Sequence, residues 1–216
     1  MDVTSVGYNC LMSEFHRSSI LLQPGLFQFG HPYITMHTEV RGDFGIGVFS
    51  RFPMEEVDRF TLNTDIQSIA ATIQVPNGRS LRLYATHPLP PIGEVQQRLR
   101  NEQLTQLATR IKAFGSKQVD SPIVLLGDFN LTPWSPHFNE LQTATKLQRV
   151  GSRFDLTPTW YRYPLFPFGL VIDHVMISND IVCTEHRIGR LTGSDHRRVS
   201  VVLDTLTYQE KKARRQ

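Results

Sequence analysis

Four short polar clusters in this chain combine carboxylate, amide and imidazole groups. They are Thr86-His87, Gly127-Asp128-Phe129-Asn130, Ile172-Asp173-His174 and Ser194-Asp195-His196. These side chains can transfer protons and stabilise developing negative charge. A single histidine after a strand is more often a turn or core residue, and Asp-x-Asn is common in ordinary turns. The functional interpretation therefore depends on the four clusters occurring together.

Apolar, β-branched segments that end at polar turns are predicted to position these clusters. Five segments are predicted as strands: residues 45–50, 80–86, 123–126, 170–178 and 199–203. Segment 123–126 is apolar on both faces and is predicted to lie in the middle of a sheet. Strand ends hold side chains rigidly while leaving them open to solvent, so this placement is the main argument for a site.

Two helices are predicted between these strands. From Val95 to Ile111, apolar residues recur at helical spacing, and Gly115 follows as a C-terminal stop. This helix is about 20 residues long. The second helix is predicted to begin at Ser135-Pro136, a capping residue followed by proline, and to end near Gly151. The pattern indicates an α/β chain in which strands dominate and helices pack outside.

The composition is that of one globular domain. The chain has 216 residues, of which 40% are hydrophobic, enough for one core and too few for two ordinary domains. Residues 1–209 are predicted to form the domain, and the basic tail 210–216 is interpreted as a frayed end rather than a nucleic-acid arm. The net charge of +3 favours anionic partners only weakly, because no basic block is present.

The cysteines and the apolar segments bear on the redox state and the compartment. Cys10 and Cys183 are predicted to be free thiols, because a chain with a core of this size does not need one isolated disulfide bond in order to fold. No segment of this sequence is predicted to be a membrane span or a secretion-type leader. It is predicted to be soluble, and cytoplasmic or, if a segment precedes it, exported. No obligate protein partner is evident.

Five motifs resemble, in order and spacing, those of the endonuclease/exonuclease/phosphatase family: GIGVFSRFP, ATHP, IVLLGDFNLTPWS, VIDHVMIS and GSDHRRVSV. The resemblance implies a four-layer α/β/β/α sandwich with two packed, mostly antiparallel mixed sheets. It also implies hydrolysis of phosphodiester or phosphomonoester bonds. The expected substrate is a nucleic acid, a phospholipid headgroup or a small phosphate ester, and these stay open because specificity lies in loops.

The resemblance implies a role for each polar cluster. Asp128 orients and deprotonates a water molecule, and Asn130, two residues away on the same face, donates to a phosphoryl oxygen. His196 contacts the scissile phosphate, and Asp173 keeps its imidazole oriented and protonated. His87 is a second phosphate-facing group. His174 is expected to face the opposite side of its strand and to be structural.

The family's metal is usually Mg²⁺, for which Mn²⁺ is a possible substitute, and its ligands are carboxylates. The resemblance implies that Glu14 and Asp195 associate with this ion. Asp43 is a candidate partner for His87, and a turn role for it is equally plausible. The family also has a first strand that ends in an asparagine, and the context of Asn9 does not match it. A missing first strand is therefore expected, from this chain or from the protein itself.

Two alternatives follow from these observations. The missing strand supports a catalytically incomplete domain that binds phosphorylated ligands without turnover, whereas the filled positions downstream favour an enzyme. The aromatic segment 157–168, with Trp160, Tyr161 and Tyr163, could stack on bases or touch a lipid headgroup. The favoured alternative is a proline-stiffened loop that closes its own small core.

Overall fold

The computed structural model of this chain describes seven segments. They are residues 33–37, 45–75, 78–118, 121–151, 155–162, 168–191 and 194–206. Several predictions concern residues that lie outside these segments: Asn9, Cys10, Glu14, Asp43, Tyr163 and the tail 210–216.

The described residues contain two helices and twelve strands. Helix α1 is Gly93–Lys117 and helix α2 is Pro136–Thr145. In chain order, the strands are β1 (Tyr33–His37), β2 (Ile46–Ser50), β3 (Met54–Thr61), β4 (Gln67–Gln74), β5 (Ser80–Ala85), β6 (Ile123–Asp128), β7 (Gln148–Arg149), β8 (Trp160–Tyr161), β9 (Gly169–Leu170), β10 (Asp173–Ile177), β11 (Ile181–Ile188) and β12 (Val199–Thr205).

A six-stranded mixed sheet in the order β3-β4-β5-β6-β10-β7 positions the polar clusters. The pair β5–β6 is parallel, and the other neighbouring pairs are antiparallel. Strand β6 lies inside the sheet, as predicted from segment 123–126. β5 and β6 run in the same direction and β10 runs in the opposite direction. The end of β5, the end of β6 and the start of β10 therefore lie side by side at one end of the sheet. His87, Asp128 and Asp173 follow or occupy these three positions.

The helices cover one face of this sheet. Leu104, Leu107 and Ile111 of α1 pack with Leu125 of β6 and Met176 of β10 in one buried cluster. Leu107 and Leu125 are fully buried, and burial of a leucine side chain stabilises the fold by about 1.5–3 kcal/mol. The predicted amphipathic helix is therefore confirmed, and its apolar face packs against the sheet.

Other strands cover the opposite face. Val48 of β2, Ile181 of β11 and Leu203 of β12 share a second buried cluster with Leu83 and Val124 of the central sheet. Strand β2 pairs with β1, and β11 pairs with β12. The described residues thus form a mixed α/β fold in which the central sheet lies between helices and further strands.

Three predicted element boundaries are wrong. Helix α1 continues past Gly115 to Lys117. Helix α2 begins after Ser135 as predicted but ends at Thr145, because Lys146 takes a left-handed conformation with φ 59° and β7 then pairs with β10. The predicted strand 170–178 is divided into β9 and β10. In that break, the backbone N–H groups of Ile172 and Asp173 donate to the Thr159 hydroxyl.

Six strands were not predicted from the sequence, namely β1, β3, β4, β7, β8 and β11. β3 has a mostly exposed, charged surface, and β11 is half-exposed, so neither shows a long apolar pattern. Cys183 in β11 is a free thiol, and burial raises its pKa. Neither described helix is both long enough and apolar enough to span a membrane.

Candidate active site

Asp128 and Asp173 form the centre of the site. They are direct partners across the antiparallel pair β6–β10. Asp128 is only 3% exposed, and the Asn130 backbone N–H donates to its Oδ1, with 2.7 Å between nitrogen and oxygen. This hydrogen bond fixes one carboxylate oxygen of Asp128. The Asp128 carboxylate is therefore held in one orientation at the sheet edge.

His196 lies between the two carboxylates. Its Nδ1 is 3.0 Å from Asp173 Oδ2 and 3.2 Å from Asp173 Oδ1. Its Nε2 is 3.9 Å from Asp128 Oδ2. These distances assign the Nδ1–H to Asp173, so Nε2 faces Asp128. The imidazole is thus oriented by one carboxylate towards the other.

His87 approaches the same oxygen of Asp128. Its Nε2 is 3.7 Å from Asp128 Oδ2, and the residue is 9% exposed. A separation of 3.7–3.9 Å between the heavy atoms exceeds that of a direct hydrogen bond, and one oxygen atom beside them can bond to both groups. Asp128 Oδ2 and the two imidazoles can therefore surround a reacting water or an anionic oxygen.

The end of β5, which leads to His87, is fixed from two sides. The Thr86 N–H donates to Leu126 O of β6 at 3.1 Å. The Thr86 hydroxyl is 2.9 Å from the Ser68 hydroxyl, and both side chains are buried. These bonds hold the end of β5 against β4 and β6, so His87 leaves the sheet at a defined point.

Thr159 joins the His196 segment to Asp173, and the sequence did not indicate it. Its hydroxyl accepts the N–H groups of Ile172 and Asp173 at 3.1 Å each. Its carbonyl accepts the Arg197 N–H at 2.6 Å. A threonine in a proline-rich segment gives no signal for such a role. The structure shows that it connects the backbones on either side of the Asp173–His196 pair.

The aromatic segment lies against the site. Trp160 forms an isolated bridge with His196, and the centroids of the two rings are 6.4 Å apart. Tyr161 is buried, and the Arg197 guanidinium lies 4.9 Å from its ring centroid. The burial of Tyr161 is what a loop-closing residue would show. Trp160 lies at the edge of the site, next to His196.

Asp195 lies beside the site. The Trp160 indole N–H donates to Asp195 Oδ2 at 2.9 Å, and Asp195 is exposed. Among the described residues, one group offers ligand atoms within 4.8 Å of one another, namely Asp128, Asp173 and His196. Asp195 is not in that group. The carboxylate oxygens of the group suit a hard cation.

His174 lies on the other side of the sheet from Asp173. Its Nε2–H donates to Leu131 O at 2.7 Å, and its Nδ1 accepts from Arg149 Nε at 3.3 Å. Its ring packs against Phe129 and Phe138. Burial lowers its pKa to about 4, so the imidazole is neutral near pH 7. This arrangement agrees with the structural role expected for His174.

Asn130 has an unusual backbone and a side chain that spans two loops. Its φ is 49°, a left-handed conformation that asparagine tolerates better than most residues. Its Nδ2 donates to Pro88 O at 2.9 Å, and its own carbonyl accepts a hydrogen bond from Arg100 of α1. The loop after β6 is therefore bonded to the loop after β5 and to helix α1.

Sequence comparison relates the chain to one protein family. The sequence model described as the Endonuclease/Exonuclease/phosphatase family matches residues 10–196. A search of curated proteins by sequence gives no match.

Solved structures of known proteins share the fold. The catalytic domain of human Nocturnin, with a bound sulfate anion, has a TM-score of 0.74 and 18% identity, over 93% of this chain and 81% of that chain. The 3′ phosphatase NExo from Neisseria, bound to a product DNA hairpin, has a TM-score of 0.66 and 16% identity, over 89% and 86%. The Bacteroides thetaiotaomicron mannosyl-6-phosphatase Bt3783 has a TM-score of 0.61 and 19% identity, over 80% and 78%.

Proposed function

The chain belongs to the endonuclease/exonuclease/phosphatase family, whose members are phosphoester hydrolases, and we propose that it is a Mg²⁺-dependent hydrolase of phosphodiester or phosphomonoester bonds. One observation carries this proposal. Two imidazoles, of His87 and His196, face the same Asp128 oxygen at 3.7 and 3.9 Å. Asp173 lies behind His196 at 3.0 Å. This arrangement suits attack of water on a phosphorus atom.

Asp128 is the proposed base. Its Oδ1 is held by the Asn130 N–H, so Oδ2 takes the proton of the attacking water. The water oxygen forms the new bond to phosphorus, and the bond from phosphorus to the leaving oxygen breaks in line with it. A base in this position contributes about 10²–10⁴-fold to the rate.

His196, His87 and Asn130 are the proposed phosphate-binding groups. Asp173 fixes the His196 ring through Nδ1, so that an Nε2–H can donate to a phosphoryl oxygen. The Asn130 amide nitrogen has two hydrogens, and its bond to Pro88 O uses one of them. The second can donate to the phosphate. These donors stabilise the charge that develops on the equatorial oxygens.

Glu14 and Asp195 are the residues proposed to hold Mg²⁺. The Trp160 indole that donates to Asp195 is neutral, so that bond does not compensate the carboxylate charge. The carboxylate oxygens of Asp195 are ligands that suit a hard cation. When bound, the ion would neutralise charge on the phosphoryl oxygens. Mn²⁺ is the expected substitute, because it accepts the same oxygen ligands.

The proposal extends to the whole domain and to the substrate. We propose that residues 1–209 form the four-layer sandwich of the family, in which a further helical layer covers the strands opposite α1 and α2. NExo is a 3′ phosphatase bound to DNA, and Bt3783 is a mannosyl-6-phosphatase. The proposed substrate is accordingly a phosphoester in a nucleic acid, a phospholipid headgroup or a small phosphate ester, since the same groups act on the phosphate in each.

The test is hydrolysis of bis-p-nitrophenyl phosphate and p-nitrophenyl phosphate with Mg²⁺, with Mn²⁺ and with EDTA. Asp128→Asn keeps the shape of the side chain and removes the base. Asp65→Asn changes an exposed aspartate and is the matched control. Metal-dependent turnover that is lost in Asp128→Asn and kept in Asp65→Asn supports the proposal. A folded wild-type protein without turnover on phosphoesters, including DNA and a sphingomyelin-type lipid, contradicts it.

A further inference from the structure

Helix α1 buries two polar side chains beneath the site. Arg100 is 4% exposed and Gln103 is 1% exposed. The two lie three residues apart and so share one face of the helix. The rest of this face is apolar, with Leu104, Leu107 and Ile111 in the core. A charged and a polar group at this depth are costly unless they are hydrogen-bonded.

Each of the two side chains reaches one of the loops that carry site residues. Arg100 donates to the carbonyl of Asn130. Gln103 Oε1 accepts the Leu89 N–H at 2.9 Å, two residues after His87. Gln103 Nε2 also donates to the Thr64 hydroxyl at 2.8 Å. Helix α1 is therefore bonded to both loops from below.

One further hydrogen bond closes a ring. Asn130 Nδ2 donates to Pro88 O at 2.9 Å, which joins the two loops directly. The ring runs from Arg100 to Asn130, from Asn130 to the Pro88-Leu89 segment, and from Leu89 back to Gln103. Asn130, which takes part in two of these bonds, has the left-handed φ of 49°. The bonds to its backbone carbonyl and from its side-chain amide hold its backbone in this uncommon conformation.

The chemistry of the ring argues against a simple stabilising role for Arg100. The acceptors shown for its guanidinium, Asn130 O and Asn101 Oδ1, are neutral oxygens. Burial lowers its pKa from the ordinary value, which reflects the cost of removing the charge from water. An apolar side chain of similar length would avoid this cost. What Arg100 provides and an apolar side chain would not is the hydrogen bond to the loop after β6.

We propose that Arg100 and Gln103 are positioning residues that set the Asn130 amide and the His87 loop at their catalytic distances. This inference rests on the proposed function of the same site. Arg100 acts through Asn130, and Gln103 acts through the backbone at Leu89. Neither touches the substrate. A displacement of about 1 Å in a group that binds the reacting phosphate can lower the rate by about 100-fold.

A double-mutant cycle tests the role of Arg100. We expect Arg100→Met to lower kcat by about 10- to 100-fold with a smaller change in KM, and Arg100→Lys to recover part of that loss, because an ammonium can donate one bond to the carbonyl. In an Asn130→Ala background, Arg100→Met should lower kcat by less than about threefold. Arg98→Met is the matched control, because its side chain is 70% exposed on the same helix.

A second cycle tests Gln103. Gln103→Met removes both bonds of the side chain at similar length. We expect it to lower kcat in the wild-type background and to have little further effect in His87→Ala. Additive losses in either cycle would show that the residue acts on the fold in general, and would overturn its assignment as a positioning residue.

An observation independent of activity keeps the inference testable. In protein labelled with ¹⁵N-asparagine, the side-chain amide signal of Asn130 is assigned by its loss in Asn130→Ala. We expect this signal to shift or broaden in Arg100→Lys, which retains the charge and is the variant more easily folded, and to stay in place in Arg98→Met. An unchanged signal overturns the inference. A wild-type protein without turnover contradicts the proposed function instead, and the amide signal then decides the inference alone.

Discussion

Asp128 and Asp173 lie opposite each other on adjacent antiparallel strands, and His196 contacts the second at 3.0 Å while its other nitrogen faces the first at 3.9 Å. Two carboxylates at this position would repel each other in the absence of positive charge between them. The imidazole between them can supply that charge or a shared proton. Asp128, His196 and Asp173 therefore interact electrostatically, and replacement of one should change the orientation or the charge of the other two.

Replacement of Asp173 by asparagine should lower kcat by about 100-fold and leave KM nearly unchanged. The amide cannot provide the negative charge that orients the His196 Nδ1–H and stabilises the charged ring. Steady-state kinetics on a p-nitrophenyl ester would measure the effect, with Asp65→Asn as control. A variant with wild-type kcat would show that Asp173 is not needed to orient His196.

Replacement of Thr159 by valine should destabilise the fold and lower activity. The hydroxyl accepts two N–H groups, and each buried donor left without an acceptor costs about 1–3 kcal/mol. For the two donors together we expect a loss of about 2–6 kcal/mol in the free energy of unfolding, measured by urea denaturation. Thr159→Ser keeps the hydroxyl and is the control. Equal stability of the valine and serine variants would refute the bridging role.

His174 should make the stability of the protein depend on pH. Burial lowers its folded-state pKa to about 4, against about 6.5 in the unfolded chain. Between these values the unfolded state binds more protons, so stability is full above about pH 6.5 and falls as the pH is lowered towards 4. Between pH 7 and pH 5 the loss should be about 2 kcal/mol.

Denaturant titrations at the two pH values check this prediction. His174→Gln retains a donor for Leu131 O and does not titrate, so its stability at pH 7 should be lower but should change less between pH 7 and pH 5. The same pH dependence in both proteins would assign the effect to other groups.

Replacement of Leu107 by alanine should cost about 2–5 kcal/mol of unfolding free energy. The side chain is fully buried between α1 and the sheet, where neighbouring residues can close a cavity only partly. Val95→Ala on the same helix, with a side chain that is 60% exposed, should change stability by less than about 0.5 kcal/mol. Similar losses in both variants would contradict the assignment of the α1 face.

The extent of sequence-based prediction differs between elements. The apolar segment 123–126 predicted an interior strand, and Ser135-Pro136 predicted the start of a helix, because both signals are local. The end of α2 and the break between β9 and β10 were not predicted. The first depends on the left-handed Lys146 and the second on Thr159, which bonds residues 13 and 14 positions away.

The sequence by itself determined which polar groups stand at strand ends and in which order, because those groups follow short apolar patterns along the chain. The tertiary structure decided which oxygen faces which nitrogen, since Asp128, His87 and His196 meet only after β5, β6 and β10 pair. It also revealed Arg100, which resembles an ordinary polar residue of an amphipathic helix. Its partner lies 30 residues away, and a contact between a side chain and a distant carbonyl leaves no pattern in the sequence.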